Sequence, residues 1–355
     1  MTRPDTTPTP APNASITPAA LLGRAQACLE TLEYDLCRKF LVRALEIDPH
    51  HIETLEMLGT LELDCAGAAT AESVVSMHLA RATQYLTKAI ELRPETGSEK
   101  YLCMGQLATG RDALAYYEQG LRLLENEKAC QGDAKEEDVS ASKMASALCS
   151  MVEIYMTDCC DEPDAEALAE SYCLKAISLT PDNPEPHQTL ASVRISQSDL
   201  PSARASIEKS LDQWELLPLD HRHYPSYATR LGCVKILIEL DLFDRALLVL
   251  QSLQRDRDED PEVWYLFGWC YFRWGGGTEI QAAESESLGG SRIAIDESLM
   301  HVSDDAERVE HWEDAIECFE TAMSLLVKNE ECSRSDIAEH AELLCGQLKL
   351  SMDVD

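Results

Sequence analysis

The sequence predicts an all-α fold made of stacked helix pairs. Segments of about 12 to 16 residues, with Ala, Leu, Glu and Arg at helical spacing, run down most of the chain. They recur in pairs at a near-constant interval, which marks a repeat architecture. Strand signals are sparse, and no Asn-Gly turn joins two alternating runs. At 355 residues, with 45% hydrophobic side chains, a single compact core would be unusually large. Two domains or one elongated array is the expectation.

Residues 1–18 are rich in Thr and Pro and lack an apolar core segment, so they read as a disordered tail and not as a signal peptide. From Leu21 to Pro49 a first helix pair carries Ala25, Leu41 and Ala44. The next begins near Ile52 with Leu58 and Gly59; its second helix holds Ala82, Leu86, Ala89 and Pro94, after an insertion of about eleven residues. Tyr101, Met104, Gly105, Ala113 and Tyr117 open a pair with a shortened turn. Leu148, Met151, Tyr155, Ala169, Ala176 and Pro181 give another. Near Pro184 a pair without insertion places Leu190, Ala191, Ala203 and Ile207, and Phe243 with Ala246 belong to the one after it. The clearest first helix is Pro261–Tyr271, with Trp264, Phe267, Gly268 and Tyr271. Its partner, with Ala315, Phe319 and Ala322, follows an insertion of about 35 residues. Ser335 to Leu348 reads as a solvating end helix.

A small residue recurs in the middle of each first helix and early in each second helix, where two helices cross closely, and large residues fill the gaps between pairs. This pattern resembles the tetratricopeptide repeat. The resemblance implies a right-handed superhelical solenoid of about seven helix pairs plus a C-terminal capping helix over residues 19–350, with 351–355 as a tail. It also implies that the first helices line a concave groove. The groove-facing positions read Glu30, Glu53, Glu56, Asp64, Glu99, Gln106, Glu153, Glu185, Gln188, Glu239, Glu262, Tyr265, Trp269 and Phe272, with Lys235 and Arg273 as the main cations. Carboxylates on that scale suit the Lys and Arg side chains of an extended basic peptide, and Tyr265 and Trp269 suit guanidinium planes or apolar anchors. Packing of Trp269 and Phe272 against the insertion is the alternative. Tetratricopeptide domains that hold acidic chaperone tails use Lys, Asn and Arg at such positions, so that subclass is set aside.

Charge supports the same reading. With 64 acidic against 30 basic residues, the formal net charge is -34. Such a surface repels nucleic acid and anionic membranes and attracts cationic partners. No run of about 18 apolar residues exists, so no membrane-spanning helix is expected. The 14 cysteines contain no Cys-x-x-Cys pair; without a secretory signal they are expected as free thiols packed on apolar helix faces, for example Cys173, Cys233, Cys270 and Cys318. The sequon at Asn13 then carries no sugar.

The segment 275–310 starts Gly-rich and becomes acidic, with 13 acidic residues between Glu279 and Glu320, and reads as a partly disordered loop. Glu125 to Asp138 reads as a second acidic linker. No catalytic residue, cofactor or metal site is expected. His221-Arg222-His223 has no companion ligands, Gly275-Gly276-Gly277 lacks the following Lys of a phosphate loop, and no Gly-x-Ser-x-Gly elbow occurs.

A narrower likeness lies in three features: the run Val263-Trp264-Tyr265-Leu266-Phe267-Gly268-Trp269-Cys270-Tyr271, the acidic insertion leading to Trp312 and Ala315, and Ala44-Leu45-Glu46-Ile47-Asp48-Pro49 leading to Leu58-Gly59. Together with the Pro/Thr-rich start and the acidity, they resemble the fungal dedicated assembly chaperones of large-subunit ribosomal protein four, over about residues 20 to 350. That resemblance implies capture of a nascent, very basic ribosomal protein through its long internal extension. It further implies passage from cytoplasm to nucleus, with nuclear import factors met through the client, and release when ribosomal RNA competes. No nucleic acid or membrane is bound directly in this scheme. The residues alone leave open a generic tetratricopeptide scaffold subunit of a multiprotein complex.

Overall fold

The computed structural model describes residues 17–69, 71–130, 134–219, 221, 224–280, 292–295, 305–328 and 335–352. These hold fifteen helices and one pair of short strands. The tail expected over 1–18 lies outside the described residues except for Thr17 and Pro18; Ser351 and Met352 belong to the last helix, and 353–355 lie outside.

The helices form two compact units, Met1–Ser140 and Ala141–Asp355. The first holds α1 (Pro18–Glu30), α2 (Tyr34–Ile47), α3 (Ile52–Ala68), α4 (Glu72–Leu92), α5 (Glu99–Leu107) and α6 (Gly110–Cys130). The boundary falls within α7 (Ala134–Met156). The second unit continues with α8 (Ala165–Leu179), α9 (Pro184–Ser196), α10 (Leu200–Trp214), α11 (Tyr227–Glu239), α12 (Phe243–Asp256), α13 (Pro261–Trp274), α14 (Asp305–Lys328) and α15 (Ser335–Met352). Consecutive helices pair, most extensively α3 with α4, α9 with α10 and α13 with α14. Tyr155 of α7 meets Tyr172 of α8 with ring centroids 6.0 Å apart. Seven pairs and an end helix match the sequence reading.

The close crossings are where the sequence put small residues. A Cβ on Gly59 would stand 2.5 Å from Leu86, and one on Gly268 would stand 2.7 Å from Phe319. Ala82, Ala113, Ala203, Ala246 and Ala315 are all fully buried on the second helices. Capping fixes several helix starts. Asn183 and Asp260 accept backbone N–H bonds from Glu185 (3.1 Å) and Glu262 (2.9 Å), each with Pro at the first helical position. Three tight pairs turn through one residue in the left-handed region, Leu32, Ser198 and Asp241. Each turn closes with the two backbone bonds of a Schellman motif, for example Glu33 N–H to the Cys28 carbonyl (2.9 Å) and Leu32 N–H to that of Leu29 (3.1 Å).

Two sequence expectations need correction. Glu125 to Asp138 is not a linker: Glu125–Cys130 ends α6 and Ala134–Asp138 opens α7, leaving 131–133 outside the described residues. The eleven-residue insertion of the second pair is accommodated by lengthening α3 to 17 and α4 to 21 residues. The segment after α13 contains an antiparallel strand pair, β1 (Gly277–Ile280) with β2 (Arg292–Ile295), in the register Gly277 to Ile295. The glycine run rejected as a phosphate loop acquires a packing reason. A Cβ at Gly277 would stand 2.3 Å from the Phe272 ring, and Gly276 has φ 81°. The rest of 281–304 lies outside the described residues.

Cys173, Cys233, Cys270 and Cys318 are all buried, as the apolar helix faces predicted. Burial pushes the thiols of Cys173, Cys233 and Cys318 up to about 12. No described helix is long and apolar enough to cross a membrane.

Candidate functional site

The groove positions read from the sequence fall into three groups, distinguished by what meets each side chain. In the first unit two of the predicted acids, Glu53 and Glu56, already have a cation. The Lys100 ammonium is completely buried and donates to Glu56 Oε1 at 3.0 Å, with the Thr96 carbonyl as its second acceptor. Arg93 pairs with Glu53 at 3.3 Å, and His51 Nδ1 lies 3.6 Å from the same carboxylate. Its own backbone N–H, then His51 and Arg93, hold the Glu53 carboxyl below the ordinary glutamate value. One turn beyond the predicted positions, Glu62 is buried between Arg38 Nε (2.7 Å) and His78 Nδ1. Burial opposes ionisation there, but the His78 and Arg38 hydrogen bonds win and lower the carboxyl. Glu30 and Asp64 are exposed and form no described ion pair, and partial burial raises the Asp64 carboxyl. Glu99 is half-buried in the first turn of α5, and Gln106 is exposed near its end.

The second unit brings two predicted acids together. Glu153 projects from α7 and Glu185 from the first turn of α9, where Asn183 and Pro184 set the helix start. Burial, then the Glu153 charge, raises the Glu185 carboxyl above its ordinary value, with the Asn183 hydrogen bond opposing. Burial raises Glu153 as well. No described cation lies within ion-pair distance of either carboxylate. Glu239 is exposed at the end of α11. Gln188 is engaged within the fold, donating to the Thr229 carbonyl at 3.0 Å.

The third group is aromatic. Glu262 is covered and bound to Lys235 at 2.8 Å, and Arg273 is bound to Asp241 at 3.1 Å, so both groove cations are neutralised internally. Phe272 is fully buried against the start of β1. Tyr265 and Trp269 remain half-exposed and meet α15: the Tyr265 hydroxyl lies 2.6 Å from His340 Nδ1, and Trp269 packs on the same imidazole. Lys100 and His340 are the residues the sequence reading missed. A signal existed for Lys100 alone: it heads an unbroken buried run to Gly105 in a nine-residue helix, where a charge requires a partner.

Among the described residues, no group of three or more His, Cys, Asp or Glu side chains is placed to hold a metal ion. His221 is exposed, and Arg222 and His223 lie outside the described residues.

Helix pairs crossing at Gly and Ala, with acids and half-exposed rings on their first helices, define a tetratricopeptide-type array. Two solved structures share this fold at low identity. One is a tetratricopeptide repeat protein from Parabacteroides merdae (TM-score 0.51, 11% identity, 92% of this chain and 98% of that one). The other belongs to the APC/C hetero-tetramer Cut9-Hcn1 (TM-score 0.52, 13% identity, 93% and 49%). No protein-family model matches the chain. A Schizosaccharomyces pombe protein described as a probable assembly chaperone of rpl4 is 33% identical over 253 residues, 69% of each chain. An Emericella nidulans protein with the same description is 30% identical over 268 residues, 71% of this chain but 64% of that one, short of two thirds of its length. The solved structure of an assembly chaperone of RpL4 (Acl4), residues 1-338, superposes with TM-score 0.65 at 30% identity, over 73% of this chain and 97% of that one. The chain belongs to this family of Rpl4 assembly chaperones. The names of these relatives describe assembly, not a reaction.

Proposed function

We propose that this protein is a dedicated chaperone for a newly made, strongly basic ribosomal protein, large-subunit protein L4. It binds the client through carboxylates on its first helices and keeps it soluble until ribosome assembly. Family membership supports the choice of client. The Glu153–Glu185 pair carries the binding mode: an exposed and a half-buried carboxylate, the first raising the second and neither with a described cation, gain by accepting a Lys or Arg side chain. Within the second unit Glu239 adds exposed negative charge, and within the first Glu30 and Asp64 do so, whereas Glu53, Glu56 and Glu262 have internal partners and contribute less. The net charge of -34 steers a cationic chain toward the protein and keeps it from RNA. We place the complex in both cytoplasm and nucleus, with import factors engaging the client and ribosomal RNA displacing the chaperone.

Affinity purification at low salt, followed by mass identification of the dominant partner, tests the client: L4 is expected, and its absence rules the reading out. The electrostatic mode predicts affinity that falls steadily with salt. Glu153→Lys with Glu185→Lys is expected to weaken the complex by roughly ten-fold or more. Insensitivity to both salt and charge reversal would remove the carboxylates from the mechanism.

A further inference from the structure

Three half-exposed rings from two helices meet within the second unit. Tyr265 and Trp269 stand one turn apart on α13, and His340 comes from α15. The imidazole centroid lies 5.8 Å from Tyr265 and 5.6 Å from Trp269. Behind them Phe319 lies 5.8 Å from Tyr265, and Phe272 is stacked on Trp269 at 5.3 Å. Both backing rings are fully buried, so the front rings rest on a close-packed floor. The hydrogen bond between the Tyr265 hydroxyl and His340 ties α13 to α15 and fixes two of the three ring orientations.

The surrounding charge is one-sided. Each described Lys and Arg of α11, α13 and α15 already sits in an ion pair: Arg230 with Asp256, Lys235 with Glu262, Arg273 with Asp241, and Lys349 with Glu320. The exposed side of α15 adds Asp336, Glu339 and Glu342. A preformed aromatic surface in an excess of negative charge suits a guanidinium, which is planar, weakly hydrated and stacks on rings. An ammonium is a compact, strongly hydrated charge and gains less from the same surface. An apolar anchor would gain nothing from the carboxylates.

We infer that Tyr265, Trp269 and His340 form an arginine-selective subsite for the basic client. This inference rests on the proposed function and adds residue-type selectivity to it. Glu153 and Glu185 recognise positive charge, whereas the three rings distinguish arginine from lysine.

Two peptides of equal length and charge test it, one alternating glycine with arginine and the other glycine with lysine. Each is titrated calorimetrically into the full-length protein at low salt. The arginine peptide is expected to bind about five-fold more tightly. Trp269→Leu is expected to erase that preference by weakening the arginine peptide alone, and Trp269→Phe to retain part of it. Melting curves show whether each variant is folded; if Trp269→Leu is not, Trp269→Phe decides, and an undiminished preference there overturns the subsite. Equal affinities of the two peptides for the unaltered protein also overturn it while leaving the acidic surface in place. If neither peptide binds, the acidic-surface reading falls, and the subsite with it.

Discussion

In the first unit, Glu53, Glu56 and Glu62 each face a cation supplied by another helix: Arg93, the buried Lys100, and Arg38 with His78. In the second, Glu153 and Glu185 face one another, and burial raises both carboxyls. The residue type is the same, and the repeat class puts them on equivalent first helices. What differs is the neighbour. A carboxylate whose charge is cancelled inside the fold stabilises the fold; one left uncompensated costs the fold something and becomes available to a partner. Acidity along a predicted groove is therefore not one property but two.

The largest consequence concerns Glu56. Glu56→Ala strands the Lys100 ammonium in the interior with only the Thr96 carbonyl, and is expected to cost about 3–5 kcal/mol in denaturant unfolding. Adding Lys100→Met should recover most of that loss, because removing both charges leaves no stranded ion. A near-neutral single variant would show that the pair does not stabilise the first unit, and the contrast between units would collapse. Slightly smaller is the effect of Gly268→Leu in the second unit. Phe319 fills the space its side chain needs, and a cost of about 3 kcal/mol is expected from the forced separation of α13 and α14.

The crossings were legible before any coordinates because they depend on local spacing: Gly59, Gly105 and Gly268 sit where only a hydrogen fits. Helix lengths were less so. Glu125 to Asp138 is acidic enough to read as solvent-exposed linker, yet an acidic stretch rich in Ala, Glu and Lys is also a good helix, and the helix won. Which acid meets which cation was not legible, although Lys100 signalled that it needs a partner. Glu56 and Lys100 are 44 residues apart, and Tyr265 and His340 are 75 apart. Both pairs join different repeats, and the pattern of one repeat says nothing about which side chain of another will reach it.

The shared turn offers a finer comparison. Leu32 and Asp241 hold the same left-handed backbone, φ 58° and 55°, a conformation that disfavours a side chain. Leu32 is 70% exposed, so Leu32→Gly gives up little burial and is expected to stabilise the first unit by about 1 kcal/mol. Asp241 instead accepts a hydrogen bond from Arg273 at 3.1 Å. Asp241→Gly should gain less or nothing, since it releases Arg273. Equal gains in melting experiments would mean that the Asp241–Arg273 pair contributes nothing.

The smallest expected effect bears most directly on the function. Glu185→Gln removes one of two repelling charges and is expected to raise stability by about 0.5 kcal/mol, opposite in sign to Glu56→Ala. Its pH dependence follows from linkage. For Glu185 the folded carboxyl titrates above the unfolded one, so between those values the folded chain holds more protons and stability falls as pH rises. For Glu62 the folded value lies below, so its contribution is present above the ordinary glutamate value and is lost as pH falls through the folded one. Carbon-detected NMR titration of the glutamate carboxyls should place Glu185 above and Glu62 below the ordinary range. Adding the basic client should then lower the Glu185 midpoint and leave that of Glu62 unchanged, because only an uncompensated carboxylate has a charge left for a partner to stabilise. A client-induced shift at Glu62, or none at Glu185, would reverse the assignment of the two units.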